Sequence, residues 1–392
     1  MDKAVKSKTV FYASVGPALT LFDLDIDDAA LVKQSTVMLP ANIQYAWPHP
    51  SRRYLYVVSS NGGPGVAGDT HVASALLIDA ATGALRLHGD PVSLPSRPIH
   101  TSVDADGEYL LTAYNHPSGV TVHRLESDGT IGAAVPHPAN LDTGIYAHQI
   151  RTTPSNLAVT LVTRGNNAGP TRTEDPGAIK TFHFARGVLT NLASIAPGNG
   201  LGFGPRHLDF HPREPWAFVS IERQNQLYVY QLDAATGLAP DPLFVKETLS
   251  GPGTATIQGA GAIHVHPNGK FVYLTNRTFP VTDGGGREVS DGGENNIAVF
   301  AIEPKTGEPK PIQHIDGRGV QLRTFAIDPS GRILIAASIM PAPRDEAKGT
   351  VLQPAGLMVF RIADDGTLSF ARRYDVDVGS LQQFWSGMIT LA

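Results

Sequence analysis

An internal repeat constrains this chain more than any other feature. Six copies of one unit recur: an alternating strand, a turn built on Pro or Asp, then a strand rich in Tyr, Leu and Val. They are anchored at Pro50, Asp104, Pro154, Pro212, Pro267 and Pro329, so successive copies lie 54, 50, 58, 55 and 62 residues apart. Most copies are followed by a further period-2 run closed by a turn pair, as in Ala75-Leu76-Leu77-Ile78-Asp79 before Thr82-Gly83 and Val120-Thr121-Val122-His123-Arg124-Leu125 before Asp128-Gly129. Strict alternation bounded by Asp-Gly and Thr-Gly is the hairpin signature. About four strands in such a span are the dimensions of a propeller blade and not of a Rossmann unit or a helical repeat.

The two ends complete the count. Val10-Phe11-Tyr12-Ala13-Ser14-Val15 and Leu19-Thr20-Leu21-Phe22-Asp23-Leu24-Asp25 read as the second and third strands of a blade without its first, and Phe384-Trp385-Ser386-Gly387-Met388-Ile389-Thr390-Leu391 reads as that first strand. The expectation is an all-β, seven-bladed β-propeller over residues 1–392 as one domain, its ring closed by strands from both termini. Two separate sandwiches would need a break in the repeat, and none is visible. Gly 40 and Pro 30, well above average usage, are then the punctuation of many turns.

Charge and cysteine content narrow the function. Lys+Arg 31 against Asp+Glu 36 leaves a net charge of −5, without a basic face for nucleic acid or a polybasic membrane anchor. With Cys 0 there is no disulfide, zinc thiolate, iron–sulfur cluster or thiol nucleophile. The amino terminus runs into Thr9-Val10-Phe11-Tyr12-Ala13 with no apolar stretch before it, which reads as a cytoplasmic protein, and no stretch is long and apolar enough to span a membrane.

Familiar catalytic spacings are missing, among them Gly-x-Ser-x-Gly, His-Glu-x-x-His and the P-loop. Residues 198–204 are Gly-rich but lack a dinucleotide fingerprint, and residues 283–294 lack the alternating oxygen ligands of a calcium loop. Polar insertions at 165–177, 280–295 and 341–353 interrupt the repeats, where a rigid ring can position them over its channel.

Polar residues at matching places of the repeats are the candidates. His100, His148, His207 and His264 precede or open the innermost strands and are expected to share a register and converge on the channel, whereas His49, His211 and His266 fall in the following turn and read as structural or solvated. Arg206 precedes His207, and Glu222 and Arg277 end the next strands of their repeats. Two arginines against one carboxylate leave a positive surplus suited to an anionic substrate, with Glu or His free to move a proton. The alternative is a structural Arg206–Glu222 bridge.

At these residues the chain resembles a known family. Gly204-Pro205-Arg206-His207-Leu208-Asp209-Phe210-His211-Pro212, Glu222 and Ala262 through Arg277 are similar to the seven-bladed propeller lactonases, which include bacterial 6-phosphogluconolactonase and a fungal-type carboxymuconate cycloisomerase. The resemblance implies His148, Arg206, Glu222 and Arg277 as catalytic residues with His264 nearby, and His100, His207 and His264 are expected from their places in the repeats to contact substrate. It implies no metal and no cofactor, a small anionic lactone as substrate, and a monomer or weak homo-oligomer. The expected reaction is hydrolysis of the lactone, with lactone formation by cycloisomerisation or a non-catalytic binding scaffold as the alternatives. The scaffold would have a channel without convergent ionisable groups.

Overall fold

The computed structural model describes residues 8–63, 66–252, 257–346 and 349–392. Seven antiparallel sheets form the blades, and each lays its first strand against the central channel. Blades 1 to 6 occupy 43–93, 98–134, 147–195, 205–247, 258–316 and 322–376. Blade 7 joins Ser386–Thr390 to Thr9–Val15, which is followed outward by Ala18–Asp25 and Ala30–Met38. The pairing of Thr9 with Thr390 through Ala13 with Ser386 is the expected closure by both termini. Among the described residues no helix is long and apolar enough to cross a membrane.

Burial follows strand order within each blade. Second strands such as Tyr54–Ser60 and Ile333–Ser338 are buried throughout, because a neighbouring blade covers each face. Outer strands such as Leu85–Ser93 are mostly wet. The apolar clusters lie between blades. Val10, Tyr12 and Ile389 of blade 7 pack with Leu55 and Val57 of blade 1, while Phe11 and Ala13 pack with Ile333 and Val359 of blade 6.

Polar latches repeat around the ring. Nε2 of His49, His211 and His266 donates to the carbonyl of Gly107, Gly269 and Gly331 in the next blade, at 3.0, 2.8 and 2.9 Å. Their Nδ1 atoms accept from backbone N–H groups of Ser51, Glu214 and Asn268, which fixes the proton on Nε2. These three turn histidines are therefore structural. Tyr12, Tyr56 and Tyr273 form a second set of latches, donating to Gly83, Gly129 and Gly366 at 2.6, 2.9 and 2.9 Å. Gly107 and Gly331 have φ of +77° and +73°, and a Cβ on either would strike the imidazole bonded to it. Close approach of the next blade, as well as turn geometry, thus accounts for the glycine excess.

All three insertions leave between the second and third strands of their blades and so share one face of the ring. Two of them carry short hairpins, Val281–Thr282 with Glu288–Val289 and Ala342–Glu346 with Gly349–Gln353. In the former, Asp283 accepts from Gly285 and Arg287 of its own turn. The stretch at 198–204 is a connection between blades 3 and 4 that includes a single 3₁₀ turn, Pro197–Gly200.

The latches give a stability prediction. His266→Ala removes one donated and one accepted buried hydrogen bond and is expected to lower the unfolding free energy by about 1–3 kcal/mol. In the same urea titration, replacing the exposed His183 by Ala is expected to change it by less than about 0.5 kcal/mol.

Candidate active site

A backbone irregularity builds the site. In blades 1 to 6 the first strand skips register near its start relative to the second. In five of them a single residue is passed over: Gln44, Ile99, His148, Arg206 and Arg323. A bulge of this kind redirects a side chain that alternation would otherwise assign. The second strands run antiparallel and finish at the same end of the channel, where they deliver Arg164, Glu222 and Arg277.

His148 and Arg206 meet here across the boundary between blades 3 and 4. Arg206 Nη1 lies 2.6 Å from His148 Nε2. Guanidinium only donates, so Nε2 accepts and the imidazole proton sits on Nδ1, which is buried without a partner. Burial first, then Arg206 and His207, holds His148 well below the ordinary histidine value. It is a neutral imidazole at physiological pH.

Glu222 binds Arg277 through Oε1 at 2.5 Å and Arg164 through Oε2 at 3.3 Å. Its burial opposes ionisation, but Arg206, Arg277 and Arg164 outweigh that and hold the carboxyl at about 2. The alternative, a structural Arg206–Glu222 bridge, is not formed: Glu222 makes these two pairs and Arg206 turns to His148. Arg206 is pulled down to about 9, by burial and then by Arg277, and stays cationic at neutral pH.

The four channel histidines do not share a register. His100 and His207 occupy the same place, the first paired residue after the skip. His148 is itself the skipped residue, one step earlier, while His264 is paired deeper, with Tyr273. Three still converge, with ring centroids 5.0 Å apart for His148 and His207 and 6.2 Å for His100 and His207. Burial keeps His100 and His207 neutral as well. His264 belongs to the opposite mouth. There its Nδ1 is 3.5 Å from Asp209, whose carboxylate binds Arg151 at 2.5 Å, and with His207, Tyr45, Trp47, Phe325 and Trp385 it lines a cavity of about 300 Å3.

Sequence reasoning did not single out four residues at this arginine-rich end. Arg164 shares Glu222, and its guanidinium sits 4.8 Å from the Tyr146 ring. Arg97 donates to Gln44 at 2.9 Å, and Arg323 lies over Phe384 at 3.4 Å. Tyr146 holds φ of +60° immediately before the strand that carries His148. A signal was present: Tyr146-Ala147-His148, Gly204-Pro205-Arg206 and Gln321-Leu322-Arg323 occupy the same place in three repeats, and their first residues all have positive φ. Arg164, Arg206 and Arg277 thus act on the Glu222 carboxylate, while Arg323 adjoins Arg206 and Arg277, and Arg97 adjoins Arg323. A channel built this way departs from the expectation for a passive scaffold.

Removing the one counter-charge tests this electrostatic account. Glu222→Gln is expected to destabilise the protein by about 3 kcal/mol, because Arg277 and Arg164 lose a buried partner. Added inorganic phosphate should recover part of that loss by occupying the site, and urea titrations with and without phosphate measure both effects.

Comparison with known proteins agrees with this architecture. Residues 10–339 match the family model described as lactonase, 7-bladed beta-propeller. The chain is 28% identical over 327 residues to a 6-phosphogluconolactonase of Bacillus subtilis (strain 168), covering 81% of this chain and 83% of that protein. It is 30% identical over 305 residues to a 6-phosphogluconolactonase of Pectobacterium carotovorum subsp. carotovorum, covering 77% and 79%. Among solved structures, a periplasmic gluconolactonase of Pseudomonas aeruginosa superposes with a TM-score of 0.71 at 20% identity, covering 98% of this chain and all (100%) of the other.

Proposed function

Because the chain belongs to the seven-bladed β-propeller lactonase family, we propose that its ring, residues 1–392, works as one domain that hydrolyses a small anionic lactone of the 6-phosphogluconolactone kind at the Arg206 end of the channel. The observation that carries this reading is the gathering of Arg164, Arg206 and Arg277 on the Glu222 carboxylate, beside a neutral histidine in contact with Arg206.

In this mechanism Arg206 and Arg277 donate to the lactone carbonyl and stabilise the oxyanion that forms when water adds. Glu222 fixes Arg277 and Arg164, and its strongly stabilised carboxylate is a weak base. His148 is the better base. When Arg206 turns to the carbonyl oxygen, Nε2 is released to accept a proton from the attacking water. The new C–O bond forms, the ring C–O bond breaks, and the proton passes from His148 to the departing alkoxide. Cationic surroundings make the imidazolium a ready donor, so one residue serves both steps. The product is an open-chain hydroxy acid.

Kinetics on a panel of sugar and muconate lactones test this assignment. Arg206→Ala is expected to lower kcat/KM by about 10²–10³-fold, as loss of an oxyanion donor does elsewhere. Unaltered turnover in both Arg206→Ala and Glu222→Gln would overturn the site, and wild-type inactivity on every lactone would overturn the function. The pH profile is a second check. A base works unprotonated, and with His148 and Glu222 both lowered the unprotonated forms persist as pH falls, so the acid limb of kcat/KM is expected well below pH 6.5. Arg206→Met removes a cation beside His148 and should move that limb upward.

A further inference from the structure

We propose that Arg323 and Arg97, together with Tyr146, form a second anion subsite, which holds the standing negative charge of the substrate, a phosphate ester or carboxylate, apart from the reacting carbonyl. The proposal rests on the lactonase reading and deepens it.

The arginines are not equally committed. Arg277 and Arg164 bind Glu222, and Arg206 contacts His148. Arg97 has one neutral hydrogen-bond partner, Gln44, and is buried. Arg323 has no hydrogen bond or ion pair with any described residue. Its guanidinium carbon lies 3.4 Å from the centroid of Phe384, a ring that Arg97 also approaches at 5.7 Å. Stacking occupies the face of a guanidinium and leaves its edge N–H donors free, the geometry suited to a two-pronged grip on phosphate or carboxylate. Two cations beside one ring with no carboxylate between them repel each other, and a bound anion relieves that repulsion. Burial, then Arg206, Arg277 and Arg97, accordingly pulls Arg323 well below its ordinary value.

Tyr146 adds a second observation. It stands against the Arg164 guanidinium at 4.8 Å, immediately before the strand that carries His148, and holds a left-handed φ of +60° that a bulky residue adopts at a cost. Arg97 and Tyr146 also line a cleft of about 830 Å3, with Asn115, His116 and Asn166 among its walls, and Arg323 lies outside that lining. The substrate chemistry requires such a division. In a phosphorylated sugar lactone the carbonyl carbon and the carbon that bears the phosphomethyl arm flank the ring oxygen, so phosphate and carbonyl oxygen are two separate acceptors, and an arginine pair that grips one leaves the other to further donors.

The experiment compares wild type, Arg323→Met and Arg323→Lys on 6-phosphogluconolactone and unphosphorylated gluconolactone, and titrates inorganic phosphate by calorimetry. Arg323→Met is expected to reduce the preference for the phosphorylated lactone by about 10–100-fold, mainly through KM, and to weaken phosphate binding by a similar factor. Arg323→Lys keeps the charge and should restore part of both. Equal losses on the two lactones, or unchanged phosphate binding in a variant with a wild-type thermal melt, would overturn the subsite. Phosphate binding that depends on Arg323 in a protein inactive on every lactone would overturn the lactonase reading and leave the subsite standing. Lactone turnover indifferent to Arg323 would do the reverse.

Discussion

The structure depends on ring closure. Thr9–Val15 pairs on one side with Ala18–Asp25 and on the other with Ser386–Thr390, so both termini enter one sheet. That pairing hides two sheet edges and gives blades 6 and 1 a neighbour to pack against. With no cysteine in the chain, closure is held by backbone hydrogen bonds, the Thr9–Thr390 hydroxyl contact and the apolar clusters on either side of blade 7. Once the ring is shut, the first strands of all seven blades are arranged around one axis. Side chains far apart in sequence then meet at the same depth, as His148 and Arg206 do.

Closure alone would give only a channel, and the register skips turn it into a site. A regular strand alternates its side chains between the two adjacent blades, and at its first turn neither set faces the lumen well. The skipped residue escapes that alternation. Tyr146, Gly204 and Gln321, each placed just before its strand, have φ of +60°, +45° and +55°. The left-handed residue and the skip together reset the strand, and His148, Arg206 and Arg323 follow at the same offset. A local irregularity of the backbone recurs in the first strands that carry His148, Arg206 and Arg323 into the channel.

Much of this was legible in the sequence because a blade is a local object. Period-2 runs, turn pairs and spacings of 50 to 62 residues depend on short-range physics, and the closing strands showed themselves as the missing fraction of one repeat. His148, Arg206, Glu222 and Arg277 were singled out through their positions in the repeats and through family likeness, and the fold brings them to one end of the channel. Arg323 escaped because in Leu322-Arg323-Thr324-Phe325 it takes the place of a polar residue in an ordinary alternating strand. Its stacking partner, Phe384, lies in the connection to blade 7, and no local pattern joins the two. The same blindness produced the expectation that four histidines share a register. A skip of one residue moves His148 relative to His100 and His207, and nothing in the side-chain pattern marks it.

The electrostatics explain why such a site sits in a fold of this kind. Setting Arg164, Arg206 and Arg277 on the one Glu222 carboxylate, with Arg323 and Arg97 adjoining them, leaves a cationic surplus that destabilises the empty protein, since each desolvated guanidinium lacks full compensation. A ring of seven sheets bonded through repeated His and Tyr latches can carry that cost, because the strain is confined to one end of the channel and the packing between blades is untouched by it. The insertions cover the same face. Glu174, from residues 165–177, binds Arg223 beside Glu222, and Asn295, from residues 280–295, accepts from the backbone of Thr278 and Gln321 at 3.2 and 3.0 Å. By anchoring the residues that flank the arginines and limiting access of water, they strengthen every charge interaction within. An anion entering this end supplies what the protein lacks, and part of the free energy stored in cationic repulsion becomes affinity for it.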